Sequence, residues 1–306
     1  MDVQERIFTP AKRYRRTWAL HDCNLAVPAG RIVALVGPNG AGKTTLLHCA
    51  VGLCTATNGS ITVLGDLGAG SLEALERVAF VAQDAPLYRY LSVRSMVAVT
   101  RNLNSRFDQA QAEERLRGLE IPPDRKVGKL SGGQQAQLAL TLALARGPDL
   151  LVLDEPLARL DPLARHDFMA LVMAAVAASG FSVIFSSHVV SELERFADYL
   201  IVLANGRVQM VGDIDDLLTS HKVLSGPAKE SDLVGEQFTV VQTRKATRHA
   251  ELLVRTTTGE SQLPGGWESE DVSLEELVLA YLRDPSASML PGPLAPDELE
   301  VGEVAR

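Results

Sequence analysis

The chain has 306 residues, 46% of them hydrophobic, with a formal net charge of −8 and a sequence pI near 5.3. That apolar content supports a packed globular core, and the acidic balance excludes the overall basic field that concentrates nucleic acid.

In chain order, the amino-terminal MDVQERIFTPAKRYRR carries no apolar h-region, so no secretion signal is expected there. Short apolar runs bounded by turns then predict strands at Leu20–Val27, Ile32–Val36 and Ser60–Gly65, with one helix, Lys43–Val51, between the second and third. Between Ser92 and Leu119 the apolar residues recur at helical spacing, as at Val93, Met96, Val97, Phe107 and Ala110. This helical insert closes at Ile121-Pro122-Pro123, and Ser131 opens a further helix that Gly147-Pro148 ends after Arg146. LLVLD, Leu150–Asp154, and SVIFSS, Ser182–Ser187, are buried-strand runs flanking a helix from Pro162 to Ala178. Strand, helix and strand at these lengths predict a parallel α/β core. Phe168–Phe185 is the nearest approach to a membrane span, and Ser179-Gly180 breaks it into an Ala-rich helix and a strand.

After Thr219 the pattern changes to strands at Phe238–Thr243 and Glu251–Thr256, then a helix at Ser273–Leu282 with Ser273 and Glu276 as a capping box. Residues 1–219 are expected to form one nucleotide-binding domain containing a helical subdomain at about 84–147. Residues 220–283 form a small accessory region, and 284–306, rich in Pro, Ser, Gly and acid, a flexible tail. Cys23, Cys49 and Cys54 are odd in number and lack C-x-x-C spacing, so reduced thiols are expected.

The chemistry starts at Gly37–Thr45, GPNGAGKTT, directly after Ile32–Val36. Gly37-x4-Gly42-Lys43-Thr44 matches the phosphate loop, in which glycines turn backbone N–H groups toward an anion and a helix N-terminus adds its dipole. Lys43 would supply a point charge to the β- and γ-phosphates, and the Thr44 hydroxyl would ligate Mg²⁺. Asp154 ends a buried apolar run, where a second metal ligand belongs, and Glu155 follows where a carboxylate could polarise water in line with the γ-phosphate. Ser131-Gly132-Gly133 at a helix start offers a second anion site in the same chain. One nucleotide loop and two phosphate sites ask for a partner.

LSGGQ, Leu130–Gln134, preceding LLVLDEP, Leu150–Pro156, resembles the signature and Walker B motifs of the ATP-binding cassette (ABC) ATPases. The resemblance covers about Tyr14–Gly212. It implies an α/β phosphate-loop NTPase fold with a parallel-sheet core, an N-terminal antiparallel β subdomain, a helical subdomain and a small C-terminal α+β extension. It also implies that Tyr14, with Trp18 as competitor, stacks on adenine, and that Gly37, Pro38, Asn39, Gly40, Ala41, Gly42, Lys43, Thr44 and Thr45 bind ATP. By the same resemblance Thr44, Gln83 and Asp154 hold Mg²⁺, Glu155 with Gln83 and His188 is catalytic, and Asp161 is the D-loop aspartate. Ser131, Gly132, Gly133 and Gln134 would close on ATP held by a second cassette, expected to be an identical copy. Two departures stand out: Gln135-Ala136-Gln137 where many relatives read R-Q-R, and Arg159 where a small residue is common.

A single cassette with no span implies an energy-coupling subunit at the cytoplasmic face of the cell membrane, docked on an integral membrane permease through the apolar and aromatic stretch Gln83–Leu91. Val272–Leu282 resembles the last helix of cassettes serving the second type of ABC export permease, in multidrug and antibiotic export, and so points to export. The alternative is a soluble ATPase of the same family acting on nucleic acid, ribosomes or cofactor assembly. Its cues are the basic clusters Lys12–Arg16 and Thr243–His249, which solvated faces explain more simply, so no nucleic acid is expected.

Overall fold

The computed structural model describes residues 4–7, 11–21, 23–84, 86–190, 193–256, 263 and 265–283. The tail expected at Asp284–Arg306 lies outside them. The first part of the chain forms β1 (Gln4–Ile7), β2 (Lys12–Tyr14), β3 (Thr17–Leu20), β4 (Leu25–Pro28), β5 (Ile32–Val36), α1 (Lys43–Ala50), β6 (Thr62–Val63), β7 (Leu67–Gly68), α2 (Leu72–Arg77) and β8 (Val78–Val81). Three helices follow, α3 (Val93–Leu103), α4 (Gln109–Gly118) and α5 (Gly132–Leu144), then β9 (Leu150–Leu153), α6 (Pro162–Ser179), β10 (Ser182–Ser187), β11 (Tyr199–Ala204) and β12 (Arg207–Asp213). The last part holds α7 (Ile214–Thr219), β13 (His221–Pro227), α8 (Ser231–Gly235), β14 (Thr239–Lys245), β15 (His249–Arg255), β16 (Glu268–Asp271) and α9 (Leu274–Arg283).

The central sheet has the order β12-β11-β5-β10-β9-β8, parallel throughout except for the β11–β12 pair. All five residues of β5 are buried, because a parallel strand is covered on both faces. Ile32, Ala34 and Val36 face Phe168, Met169 and Val172 of α6, while Val33 and Leu35 face Leu46 and Leu47 of α1. The β1–β4, β2–β3 and β6–β7 pairs are antiparallel, as expected of the N-terminal region. Helices α3, α4 and α5 share their own core, built on Val93, Val97, Leu116, Ile121, Leu138 and Leu142. Ser92, Asp108 and Ser131 cap their N-termini. Among the described residues no helix is long and apolar enough to cross a membrane.

Three expectations change. The single strand expected at Leu20–Val27 is two, β3 and β4, in different sheets; between them the His21 N–H and the Cys23 thiol both donate to the Gly206 carbonyl, which turns the chain aside. The strand expected at Ser60–Gly65 shrinks to Thr62–Val63, because Leu64 (φ 51°) and Gly65 (φ 88°) reverse direction into β7. The C-terminal region is less separate than residues 220–283 implied. Strands β14-β15-β13-β16 enclose a small core of their own around Leu224, Leu252, Val254 and Trp267. Helix α9, with the Ser273–Glu276 capping box in place, instead buries Leu274, Leu277, Val278 and Tyr281 in the same cluster as Phe168.

That return is fastened by His221, fully buried at the start of β13. Its Nδ1 lies 2.7 Å from the Leu217 carbonyl and therefore carries the proton, so Nε2 accepts from the Tyr281 hydroxyl at 3.0 Å. Burial lowers the His221 pKa below its ordinary 6.5, against a smaller raising effect of the Leu217 carbonyl. A lowered histidine binds its second proton more readily in the unfolded chain. Its contribution to stability is therefore full above pH 6.5 and is lost as pH falls from there toward the folded value. His221→Asn, measured by calorimetry between about pH 5 and 8, should be less stable than wild type at the alkaline end by roughly 1–3 kcal/mol. The difference between the two proteins should shrink on acidification.

Candidate functional site

The site grows from the carboxyl ends of three adjacent strands, because β10 lies between β5 and β9 in the sheet. Beyond β5 the chain must pass under the Leu203 carbonyl, and a Cβ at Gly37 would collide with that oxygen. Gly42 sits at φ 108° and would place a Cβ 2.6 Å from the Ala19 carbonyl, so only glycine fits there. As the N-cap of α1 it has no side chain to offer, and the first-turn N–H groups keep no side-chain cap. Lys43 is 6% exposed and donates from Nζ to the Gly37 carbonyl at 2.7 Å and the Pro38 carbonyl at 3.4 Å. Thr44, next along, is exposed.

Past β9, Asp154 is 2% exposed and Glu155 8%. Glu155 stands at φ 46°, a left-handed conformation that a residue with a Cβ adopts at a cost of about 1–3 kcal/mol. One side chain holds that geometry. The Ser186 hydroxyl, from β10, donates to Asp154 Oδ1 at 2.7 Å and accepts from the Glu155 N–H at 2.8 Å. The Glu155 carboxylate is then pinned on both oxygens: Oε1 lies 3.2 Å from Lys43 Nζ, and Oε2 lies 2.6 Å from Nδ1 of His188, just past β10. Lys43, Asp154, Glu155 and His188, expected in one site, are thus brought together. Ser186 was missed, and its signal was a hydroxyl inside an otherwise apolar buried strand.

Other expected residues lie around this centre. Gln83 is exposed on the turn after β8, the edge strand beside β9; there the Asp154 N–H donates to the Val81 carbonyl at 2.9 Å. Ser131 and Gln134 form a complete capping box, each side chain accepting from the other's backbone N–H at 3.1 Å. The helical ladder begins only at the Gln135 N–H, so the N–H groups of Gly132 and Gly133 have no partner within their helix. A Cβ on Gly133 would meet Ala164 at 3.3 Å, so this helix start faces the start of α6, where Asp161 is the N-cap and accepts from the Ala164 N–H. Arg159 pairs with Asp84 at 2.6 Å and ties the segment before Asp161 to the turn holding Gln83. Gln135, one of the departures noted from the family pattern, keeps its polar end on the Leu130 carbonyl, a local bond.

Tyr14 on β2 and Trp18 on β3 are both half exposed, and Lys12 Nζ lies 5.2 Å from the Tyr14 ring centre. Burial, and then Cys54 beside it, raise the Tyr14 phenol above its ordinary pKa. The Arg13 guanidinium lies likewise over Trp18, 5.6 Å from its ring centre.

The donor set fits a magnesium–nucleotide pair. An uncapped helix start and a lysine provide for an anion, and the buried Asp154 carboxylate and the exposed Thr44 hydroxyl are oxygen donors of the kind a hard cation takes. Mg²⁺ is commonly held by one or two protein oxygens together with substrate phosphates.

A family model described as "ABC transporter" matches residues 20–158. The thiamine import ATP-binding protein ThiQ of Salmonella typhimurium is 33% identical over 228 residues, covering 72% of this chain and 94% of that protein. The molybdenum import ATP-binding protein ModC of Aromatoleum aromaticum is 34% identical over 64% of this chain, and the match spans about half, 55%, of its own length. Among solved structures, the dimeric bacterial ABC transporter cassette MJ0796 superposes with a TM-score of 0.61 at 25% identity, over 68% of this chain and 98% of that one.

Ser186→Ala leaves the buried Glu155 N–H without its acceptor and Asp154 without its donor, and should lower unfolding free energy by about 1–3 kcal/mol. Ser186→Thr, which keeps the hydroxyl, should recover most of that loss in the same denaturant titration.

Proposed function

This chain belongs to the family of ABC transporter ATPases, and from that premise we propose that it binds and hydrolyses MgATP between two copies of itself to drive a separate membrane permease. The observation that carries the chemistry is the Glu155 carboxylate, buried and held between Lys43 and His188. In this reading the loop Gly37–Thr45 cradles the phosphates and Tyr14 stacks on the base. Thr44, Gln83 and Asp154 would hold Mg²⁺, which when bound neutralises charge on the β- and γ-phosphates.

Glu155 takes a proton from a water aligned with the γ-phosphate. As the new P–O bond forms, the bond to the β–γ bridging oxygen breaks, leaving ADP and phosphate. His188 positions the base by bonding Oε2, and Ser186 positions it through the backbone. The second copy supplies Ser131–Gln134, whose two spare glycine N–H groups face the γ-phosphate of the first. Two such sites in a symmetric pair make ATP the material that joins the copies.

The partner surface is narrower than Gln83–Leu91 suggested. Leu87 and Leu91 are half-buried and pack against this chain's own cores, which accounts for their apolarity. Tyr88 and Tyr90 are exposed, 52% and 71%, with ring centres 6.0 Å apart. We assign the permease contact to these two rings, close in sequence to Gln83, on the cytoplasmic face of a membrane. The basis for export was Val272–Leu282. That helix buries its apolar face in the core, so packing explains its pattern, and the relatives described above carry import names. Export draws no support from them.

The test is affinity capture from membranes. Wild type should recover an integral membrane protein, whereas Tyr88→Asp with Tyr90→Asp should lose it, since a docked interface would bury unpaired carboxylates at a cost of several kcal/mol. ATP affinity should be unchanged. Recovery of ribosomes or DNA by wild type in place of a membrane protein would favour the soluble alternative.

A further inference from the structure

The function proposed above gives no role to Cys49 and Cys54, yet the fold brings them together. Both are free thiols, with Sγ atoms 2.8 Å apart. Cys49 ends α1 and is 2% exposed; Cys54 is half-buried five residues on. Between them Gly52 turns at φ 77°, and the N–H groups of Leu53 and Cys54 both donate to the His48 carbonyl, at 2.8 and 3.2 Å. The backbone therefore already closes the loop that a crosslink would close. Reaching the covalent S–S length of about 2.05 Å asks for an approach of about 0.8 Å. Cys54 also touches the nucleotide loop: its Sγ donates to the Thr45 carbonyl at 3.9 Å. Cys23 lies elsewhere, buried, its thiol donating to the Gly206 carbonyl.

We propose that Cys49 and Cys54 form a reversible thiol-oxidation site whose disulfide state weakens nucleotide binding, because the oxidised Cys54 has no proton left to donate to the Thr45 carbonyl. The effect on binding rests on the reading of Gly37–Thr45 as the loop that holds the phosphates. The oxidant is a low-molecular-weight disulfide, RSSR. The Cys54 thiolate, the more accessible of the two, attacks one sulfur of RSSR; the S–S bond breaks, RS⁻ leaves and takes up the proton that Cys54 released. Cys49 then gives up its proton and attacks the Cys54 sulfur. The mixed disulfide breaks, the second RS⁻ leaves as RSH, and the Cys49–Cys54 bond remains. Two protein thiols have lost two electrons and two protons, and RSSR has become two RSH. Burial first, and then the hydrogen bond with Cys54, push the Cys49 thiol up to about 12, which agrees with its acting second.

The test treats the full chain with oxidised glutathione and then with dithiothreitol, following intact mass, peptide maps and ATP affinity. Wild type should lose two hydrogens, yield a peptide linking Cys49 to Cys54, and bind ATP about three- to tenfold more weakly until reduced. Cys49→Ala should retain glutathione on Cys54, and Cys54→Ala should form neither product. A stable glutathione adduct on wild type, or an internal disulfide with unchanged ATP affinity, would overturn the proposal. Failure of the reduced protein to bind ATP would count against the proposed function instead, and the masses would still decide whether the disulfide forms.

Discussion

The arrangement of the site converges on one buried carboxylate. Glu155 is held in a left-handed backbone conformation, with a lysine on one oxygen and a histidine on the other. A buried ion pair of this kind is a poor source of stability, because desolvating both partners offsets most of their attraction. Its value is positional. The pair exists only because β5, β10 and β9 lie side by side and in parallel, so that the residues leaving each strand converge. Ser186 then couples the Asp154 carboxylate to the Glu155 backbone through one hydroxyl.

Much of this was legible because the informative signals were local. A phosphate loop must contain glycines where the backbone crowds Leu203 and Ala19, a lysine at the helix start and a strand before it; all of these lie within a few residues of one another. Helix caps at Ser131 and Ser273 were legible for the same reason. What the sequence hid was set at long range. Ser186 looks like a strand residue until β10 is placed between β5 and β9, an order that the chain does not follow. Leu87 looks like a docking residue until two cores are seen to converge beneath it. The apolar pattern of α9 looks like a mark of export-type cassettes until His221 and Tyr281 are seen to fasten it to the main core.

The loops around the site are also tied to one another. The helix start at Ser131 adjoins the start of α6, and Arg159 reaches from there to Asp84 beside Gln83. Both members of that ion pair are about 70% exposed, so it adds little stability and orients rather than anchors. A second copy approaching through Ser131–Gln134 would meet the Asp161 segment at the same time. The turn carrying Gln83 would follow through Arg159.

The central claim is that Glu155 is the base and that ATP joins two copies of the chain. Its most direct measurement is light scattering of Glu155→Gln with and without ATP, alongside phosphate release. The account predicts a monomer without nucleotide, a stable dimer with it, ATP binding near that of wild type, and turnover reduced at least about a hundredfold. Turnover close to wild type, or a monomer with ATP bound at high protein concentration, would contradict it.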